Sequence, residues 1–186
     1  MEEQLIQLEH RMYSLVIYQL SGIQAGIQSG HAVEEYYDKY KDTDKHKTYR
    51  RDKTWIVLNG GTSNSGKESY YDLPKQLGTM EQHLINLNMN YIECTPFYEP
   101  DLNYCLTAIA FVVDERVFDK EKYPDFKEYI ISKQLPFNSQ SEIMIRMFSY
   151  DKLKYDFPGL YNKWLSLIGG SKNEFLREFL KDKKLA

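Results

Sequence analysis

The residues of this 186-residue chain that could do chemistry fall mainly in two short segments. In the first, residues 12–33, an apolar run ends at a glycine and a helical pattern follows. That helix carries Gln24, Gln28 and His31 at i, i+4 and i+7, so two amides and an imidazole share one face. The stripe is either a solvated helix surface or the wall of a polar site. Open α/β sheets bind ligands at the carboxyl ends of their strands, which is where this helix begins.

The same helix has a second face with little side-chain volume. It is formed by Gly22, Ala25 or Gly26, Ser29 and Ala32 at helical spacing. A face of small residues lets a helix backbone lie close to a sheet. The pattern therefore predicts a helix over residues 22–40 that packs tightly on a strand.

The second segment, residues 97–103, has the sequence FYEPDLN and lies between two predicted strands. Glu99, Asp101 and Asn103 are polar residues at alternate positions. Paired carboxylates can act as acids and bases or bind a metal. The alternative is that Pro100 and Asp101 simply initiate a turn, and taken alone this segment favours the turn.

A third motif, from Gly61 to Lys67, fits the G-x4-G-K pattern of phosphate-binding loops. The next residue is Glu68, where such loops need Ser or Thr to hold magnesium. The segment therefore favours a polar surface loop. The chain contains no H-E-x-x-H motif and no C-x2-C pair, and we expect no metal and no cofactor.

Composition limits the class of protein. A hydrophobic fraction of 42% is typical of a globular chain. The formal net charge is −3, whereas a protein that binds nucleic acid mainly through phosphate contacts should be more basic. No apolar run is long enough to span a membrane, and no secretory signal is evident. Cys94 and Cys105 are predicted to be reduced thiols, and the expected location is the cytoplasm.

Residues 38–53 hold seven Lys and Arg against four Asp. They are interpreted as a solvated loop, with a phosphate-binding basic arm as the alternative.

The order of the predicted elements gives a mixed four-stranded sheet covered by helices, followed by a helical C-terminal extension. The predicted domains are residues 1–117 and residues 118–186, the second packed on the first. An apolar stripe from Leu73 through Leu77 and Leu84 to Leu87 predicts a core helix. The predicted strands span residues 12–20, 54–59, 90–95 and 104–114. Further helices are predicted over residues 124–134 and 140–155.

Taken together, the two polar segments resemble the signature regions of the second-class peptidyl-tRNA hydrolases, in the branch that includes bacterial and phage relatives. The family's small-residue helix ends in Gln-x-x-His-Ala, matched here by Gln28, His31 and Ala32, and its last strand carries a threonine, matched by Thr107. Gln24 stands where the family has a lysine. The family's aspartate position falls on Thr95.

The resemblance implies an α/β fold in which a small mixed sheet has helices on both faces. It also implies hydrolysis of the ester that joins a peptide or amino acid to tRNA. His31 and Asp101 would then transfer protons or orient water. The residues that would bind the tRNA 3′ end are Ser21, Gly22, Gln24, Gln28, Glu99, Asn103 and Thr107. The amino end of the helix at Ser21-Gly22 would receive a phosphate or carboxylate.

Two other classes of function stay open. Without the lysine, the same pocket could bind a nucleotide-like small ligand without turning it over, as a phage-type sequestering protein would. Sixteen tyrosines and the C-terminal helices could instead form a protein-interaction surface. The predicted assembly is a homodimer.

Overall fold

The computed structural model describes residues 8–64, 76–133 and 139–186. The elements, in chain order, are β1 His10–Ile17, α1 Gly22–Tyr40, α2 Asp44–Asp52, β2 Thr54–Gly61, α3 Thr79–Met89, β3 Cys94–Glu99, β4 Cys105–Asp114, α4 Glu115–Phe118, α5 Phe126–Lys133, α6 Ser139–Met147, α7 Tyr150–Asp156, α8 Pro158–Leu167 and α9 Ser171–Leu180.

The chain divides into two compact units, Met1–Glu115 with Phe179–Ala186, and Arg116–Glu178. The predicted domains at residues 1–117 and 118–186 stay a prediction. The first unit contains all four strands and the second unit is helical.

The first unit is built on a four-stranded sheet in the order β2-β1-β4-β3. Strand β1 is parallel to β2 and antiparallel to β4, and β4 is antiparallel to β3. Strands β1, β2 and β3 therefore end at one edge of the sheet, where β4 begins. The predicted mixed sheet with helices, followed by C-terminal helices, is confirmed.

Helix α1 packs on one face of the sheet through its small residues. Ala25, Ser29 and Ala32 are buried, and the two alanines belong to a core cluster that includes Met12 and Val16 of β1. Small side chains at the contact let the helix backbone approach the strands closely. The predicted bounds of this helix are confirmed.

Helix α3 packs on the opposite face, to which Leu15 points because successive strand residues alternate. Met80 and Leu87 of this helix are fully buried. Gly60 lies under the helix: a Cβ placed there would be 2.2 Å from Met80 Sδ and 3.1 Å from Leu15 Cβ. Only glycine leaves room for this contact.

The apolar stripe predicted for this helix is partly wrong. Leu77 precedes the helix, which begins at Thr79, and 46% of Leu77 is exposed. Leu73 lies outside the described residues. Thr79 Oγ1 accepts a hydrogen bond from Thr62 N at 2.7 Å, which fixes the helix start against the strand end. The apolar spacing thus extends upstream of the helix itself.

The charged segment 38–53, interpreted as a loop, contains helix α2. The Thr43 side chain caps the helix by accepting a hydrogen bond from His46 N at 3.3 Å. His46 is buried, and Tyr49 packs against the α1 core cluster. These two rings, three residues apart, give an otherwise charged segment the apolar face that a helix needs.

Two strands are displaced from their predicted positions. Strand β1 begins and ends two to three residues before the predicted 12–20, and β3 lies four residues beyond the predicted 90–95. Tyr91 has a φ of +54°, so the chain turns there after α3 and cannot yet be extended.

The second unit surrounds a buried aromatic cluster. The rings of Phe126 and Trp164 lie 5.3 Å apart. Beside them Arg177, which is 6% exposed, donates hydrogen bonds to Asp125 Oδ1 and to Tyr123 O, both at 2.7 Å. A buried guanidinium with these partners holds the start of the unit to its last helix.

Candidate functional site

Both polar segments lie at the edge of the sheet where β1, β2 and β3 end and β4 begins. Helix α1 follows β1 there, and a short 3-10 helix, Pro100–Leu102, connects β3 to β4. This topology joins side chains that are 71 and 79 residues apart in the chain.

Gln28 is the centre of the site. Its Nε2 donates to Glu99 Oε2 at 2.5 Å, and its Oε1 accepts from Thr107 Oγ1 at 2.5 Å. Gln28 is 8% exposed and Thr107 is fully buried, whereas Glu99 is half-buried. Since each end of the amide has a partner of the matching type, its orientation is fixed. We call Gln28, Glu99 and Thr107 the Gln28 triad.

An irregularity in the sheet places Thr107 in this triad. The β3–β4 register runs from Phe97 opposite Ala108 to Tyr98 opposite Leu106, so Thr107 is the extra residue. Such bulges redirect a side chain and are common next to active sites. The sequence carries one signal of this, a lone hydroxyl inside the apolar strand.

His31 lies beside the triad on the next turn of α1. Its side chain is exposed, and its ring stacks on Phe97 with centroids 4.6 Å apart and planes 25° apart. Sequence reasoning missed Phe97, because only the polar residues of segment 97–103 were considered as site residues. The stacked pair offers a flat ring to solvent on which another ring could stack.

Asp101 and Asn103 are both exposed. Glu99 caps the 3-10 helix, where its Oε1 accepts a hydrogen bond from Asp101 N at 3.4 Å. Asn103 ends it with a φ of +55°. Across the described ranges no hydrogen bond joins Asp101 to His31. The proton-transfer role of this pair stays a prediction.

Ser21 and Gln24 form a capping box at the start of α1. Ser21 Oγ accepts from Gln24 N at 3.4 Å, while Gln24 Oε1 accepts from Ser21 N at 3.1 Å and from Ser21 Oγ at 3.0 Å. The S-x-x-Q signature was present in the sequence, but Gln24 was interpreted only as a ligand-binding residue. Both residues and Gly22 are exposed, and their binding role stays a prediction.

The electrostatics of the site favour ligands that donate hydrogen bonds. Glu99 and Asp101 bring two carboxyl groups to this edge, and none of the described Lys or Arg side chains hydrogen-bonds to the Gln28 triad. A carboxylate without a cation accepts from amines, hydroxyls or the N–H edge of a base, and it repels phosphate. It can also accept a proton from a bound water.

Other chemistries have less support. Among the residues that the structure describes, no group of three or more His, Cys, Asp or Glu could hold a metal ion. Burial raises the pKa of the Cys94 thiol to about 11, so it is a poor nucleophile. The glycine-rich motif that ends at Lys67 extends outside the described residues.

The chain matches no protein-family model and no curated protein sequence. Within the described ranges, none of the helices has the length and apolar character needed to cross a membrane.

Proposed function

We propose that this chain hydrolyses the ester bond between tRNA and a peptide or amino acid, at the edge occupied by the Gln28 triad. The observation that carries the proposal is the buried Gln28 amide, which is fixed between Thr107 and Glu99. A site held by buried hydrogen bonds can orient a reacting group, which a solvated helix stripe cannot.

In this reaction a water oxygen attacks the carbonyl carbon of the ester. His31 or Asp101 accepts the proton of that water, and the same proton is passed to the 3′ or 2′ oxygen of the ribose as the ester bond breaks. The products are a deacylated tRNA and a carboxylic acid, which releases the second proton of the water to solvent and becomes a carboxylate. Thr107 and Gln28 act as positioning residues, because they hold Glu99 at the sheet edge where the two polar segments meet.

The proposed enzyme is slow. Gln24 stands at the family's lysine position, and an amide cannot stabilise a developing oxyanion as a cation does. One such contact is typically worth about 10²–10³ in rate.

The test compares wild type with Gln24→Lys and Gln24→Ala in cleavage of peptidyl-tRNA. Both substitutions remove the capping box, but only the lysine adds charge, so the alanine variant is the matched control. We expect weak cleavage by wild type and faster cleavage by Gln24→Lys than by Gln24→Ala. Equal rates for the two variants, or no cleavage by any form, would contradict the proposal.

The second candidate is a protein that binds a nucleotide-like small ligand without cleaving it. The stacked pair of His31 and Phe97, together with a carboxylate that has no cation, favours this function, because a nucleobase can both stack and donate N–H groups to Glu99. Tight binding of a nucleotide that His31→Ala abolishes, in protein that cleaves no ester, would establish it.

The proposed setting of either function is the cytoplasm, with a homodimer as the assembly. Both cysteines are free, as expected in a reducing compartment. Native mass spectrometry of the purified protein measures subunit number and any retained ligand together.

A further inference from the structure

Helix α2 carries cations that the fold does not use. Residues 38–53 have seven Lys and Arg against four Asp in a chain whose net charge is −3. Some of these cations have structural partners: Lys45 Nζ lies 3.7 Å from Glu93, and Arg51 lies 2.8 Å from Asp52. Asp52 in turn accepts a hydrogen bond from His10 N at 3.1 Å, so this end of the helix is tied to β1.

Lys47 and Lys53, in contrast, have no structural partner in the described part of the chain that would explain their positive charge. Both are exposed, and across residues 8–64, 76–133 and 139–186 neither side chain forms an ion pair or hydrogen bond. Arg50, one turn from Lys47, lies over the ring of Tyr37 at 5.2 Å and donates to its hydroxyl at 3.4 Å. Tyr37 is itself 37% exposed, so this pair presents an aromatic ring and a guanidinium to solvent together.

The helix that carries these cations is firmly held. His46 is 2% exposed, and its ring lies 5.1 Å from Tyr37 and 5.9 Å from Tyr49. A solvated loop would lose conformational entropy on binding, whereas a packed helix has already lost it. The backbone that carries the α2 cations is therefore fixed in position, with an exposed ring beside them.

We infer that Lys47, Arg50 and Lys53 form a binding surface for the sugar–phosphate backbone of RNA. We call these three residues the α2 basic surface. Lysines act as point charges on phosphates, and an arginine beside an aromatic ring suits a phosphate next to a base. The choice of RNA rests on the proposed function: the Gln28 triad has no cation for the phosphates of a tRNA, and the α2 basic surface would supply the missing attraction.

The test measures binding of a deacylated tRNA transcript as a function of salt. The variant Lys47→Glu with Lys53→Asn removes the two unpaired lysines, and asparagine suits the left-handed backbone at position 53, where φ is +54°. The matched control is Lys163→Glu with Lys172→Asn, which changes the net charge equally at two exposed lysines of the second unit.

We expect the α2 variant to bind tRNA roughly tenfold more weakly than wild type at low salt, with a salt slope smaller by about 2, while the control stays near wild type. Thermal unfolding confirms that both variants are folded. Equal weakening in the control, no binding by wild type, or wild-type binding to anionic lipid vesicles in place of tRNA would overturn the inference.

The result can be separated from a failure of the proposed function. If tRNA binding depends on Lys47 and Lys53 but no form cleaves peptidyl-tRNA, the hydrolase proposal fails and the α2 basic surface stands. If the α2 variant cleaves peptidyl-tRNA with the wild-type KM, the surface is wrong and the hydrolase proposal stands.

Discussion

At the scale of single residues, the Gln28 amide determines the shape of the candidate site. An amide has one accepting end and one donating end, and here Thr107 supplies the donor and Glu99 the acceptor. If the amide were reversed, its oxygen would face the carboxylate of Glu99, and two acceptors would meet. Because a hydroxyl can donate or accept, the carboxylate of Glu99 is the group that fixes the orientation of Gln28, and Thr107 then donates to Gln28 Oε1.

Thr107→Val should disrupt this arrangement. Valine has the same shape but no hydroxyl, so the buried Oε1 of Gln28 loses its partner. We expect a loss of about 1–3 kcal/mol in the free energy of unfolding and a loss of any ligand binding or ester cleavage at the site. Thr107→Ser keeps the hydroxyl and is the control for chemical denaturation. Equal stability of the two variants would show that the hydrogen bond does not matter.

Part of the site was predictable from residue types. Gln28 was selected because a polar stripe beside a tightly packed helix face needs a reason, and Thr107 was selected because it matches the threonine on the last strand of the family that the chain resembles. Phe97 was not selected, because only the polar residues of its segment were considered. The bulge that aims Thr107 at Gln28 depends on how two strands pair, which residue types at one position cannot reveal.

At the scale of elements, the contact between α3 and β2 depends on one missing side chain. Gly60→Ala would place a Cβ 2.2 Å from Met80 Sδ. Forcing the helix away from the sheet should cost about 1–3 kcal/mol or more. Gly26→Ala is the contrasting control, because a Cβ on this exposed residue of α1 would have nothing within 4 Å. We expect it to stabilise the helix by about 0.5–1 kcal/mol. Denaturant titrations of both variants test the pair, and a harmless Gly60→Ala would contradict the packing.

Helix α2 contains an unusual anchor in His46. Its ring is buried among tyrosines, and neither ring nitrogen has a hydrogen-bond partner within the described structure. Burial, with a smaller effect from Arg50, lowers the pKa of His46, so the ring is neutral at pH 7. Protonating it would place a charge where the helix meets the core.

His46→Phe removes both unpaired nitrogens and keeps a ring. We expect the free energy of unfolding to rise by about 1 kcal/mol at pH 7 and its decline in acid to become less steep. His46→Gln does not titrate but stays polar. It should therefore make the decline in acid less steep without raising the free energy of unfolding at pH 7. Calorimetry at pH 5 and pH 7.5 measures both. A strong destabilisation by phenylalanine at pH 7 would mean that the ring nitrogens are satisfied after all.

The elements differ in how well periodicity predicts them. Helix α1 was predicted to the residue, because its small residues and the end of the apolar run at Ser21-Gly22 both place its start at the same point. Helix α2 was missed, because charge dominates the segment and its apolar face is only two rings wide. The helix predicted over residues 140–155 is two helices, because Ser149 caps a new one by accepting a hydrogen bond from Lys152 N. Capping residues inside a periodic stretch deserve the same weight as those at its ends.

At the scale of the whole molecule, the last residues of the chain complete the first unit. Asn59 N donates to Lys184 O at 2.8 Å, and Ala186 N donates to Val57 O at 3.1 Å, so residues 184–186 pair with the outer edge of β2. In the same unit, the rings of Phe179 and Phe111 pack together with their centroids 6.1 Å apart. No periodicity marks such a short pairing, so the hydrophobic pattern of the sequence could not predict it.

Next to this C-terminal pairing, two basic groups, Lys183 and His83, lie close together and make stability depend on pH. Lys183 Nζ lies 3.2 Å from His83 Nε2, to which it can donate only when the imidazole is neutral. Burial and the charge of Lys183 lower the pKa of His83 to about 4. The unfolded chain, with an ordinary histidine pKa near 6.5, therefore binds more protons than the folded chain between these two values.

Folded stability should therefore be fully present above about pH 6.5 and should fall as the pH drops toward 4, by up to about 3 kcal/mol from His83. His10 and His46 also have lowered pKa values and act in the same direction. His83→Gln keeps an acceptor for Lys183 but cannot be protonated, so its unfolding free energy should decline less steeply than that of wild type over this range. Urea denaturation at half-unit steps from pH 4 to pH 7.5 gives both curves. If the two curves run parallel, His83 titrates normally in the folded protein, and the contact with Lys183 does not hold the C-terminal segment against α3.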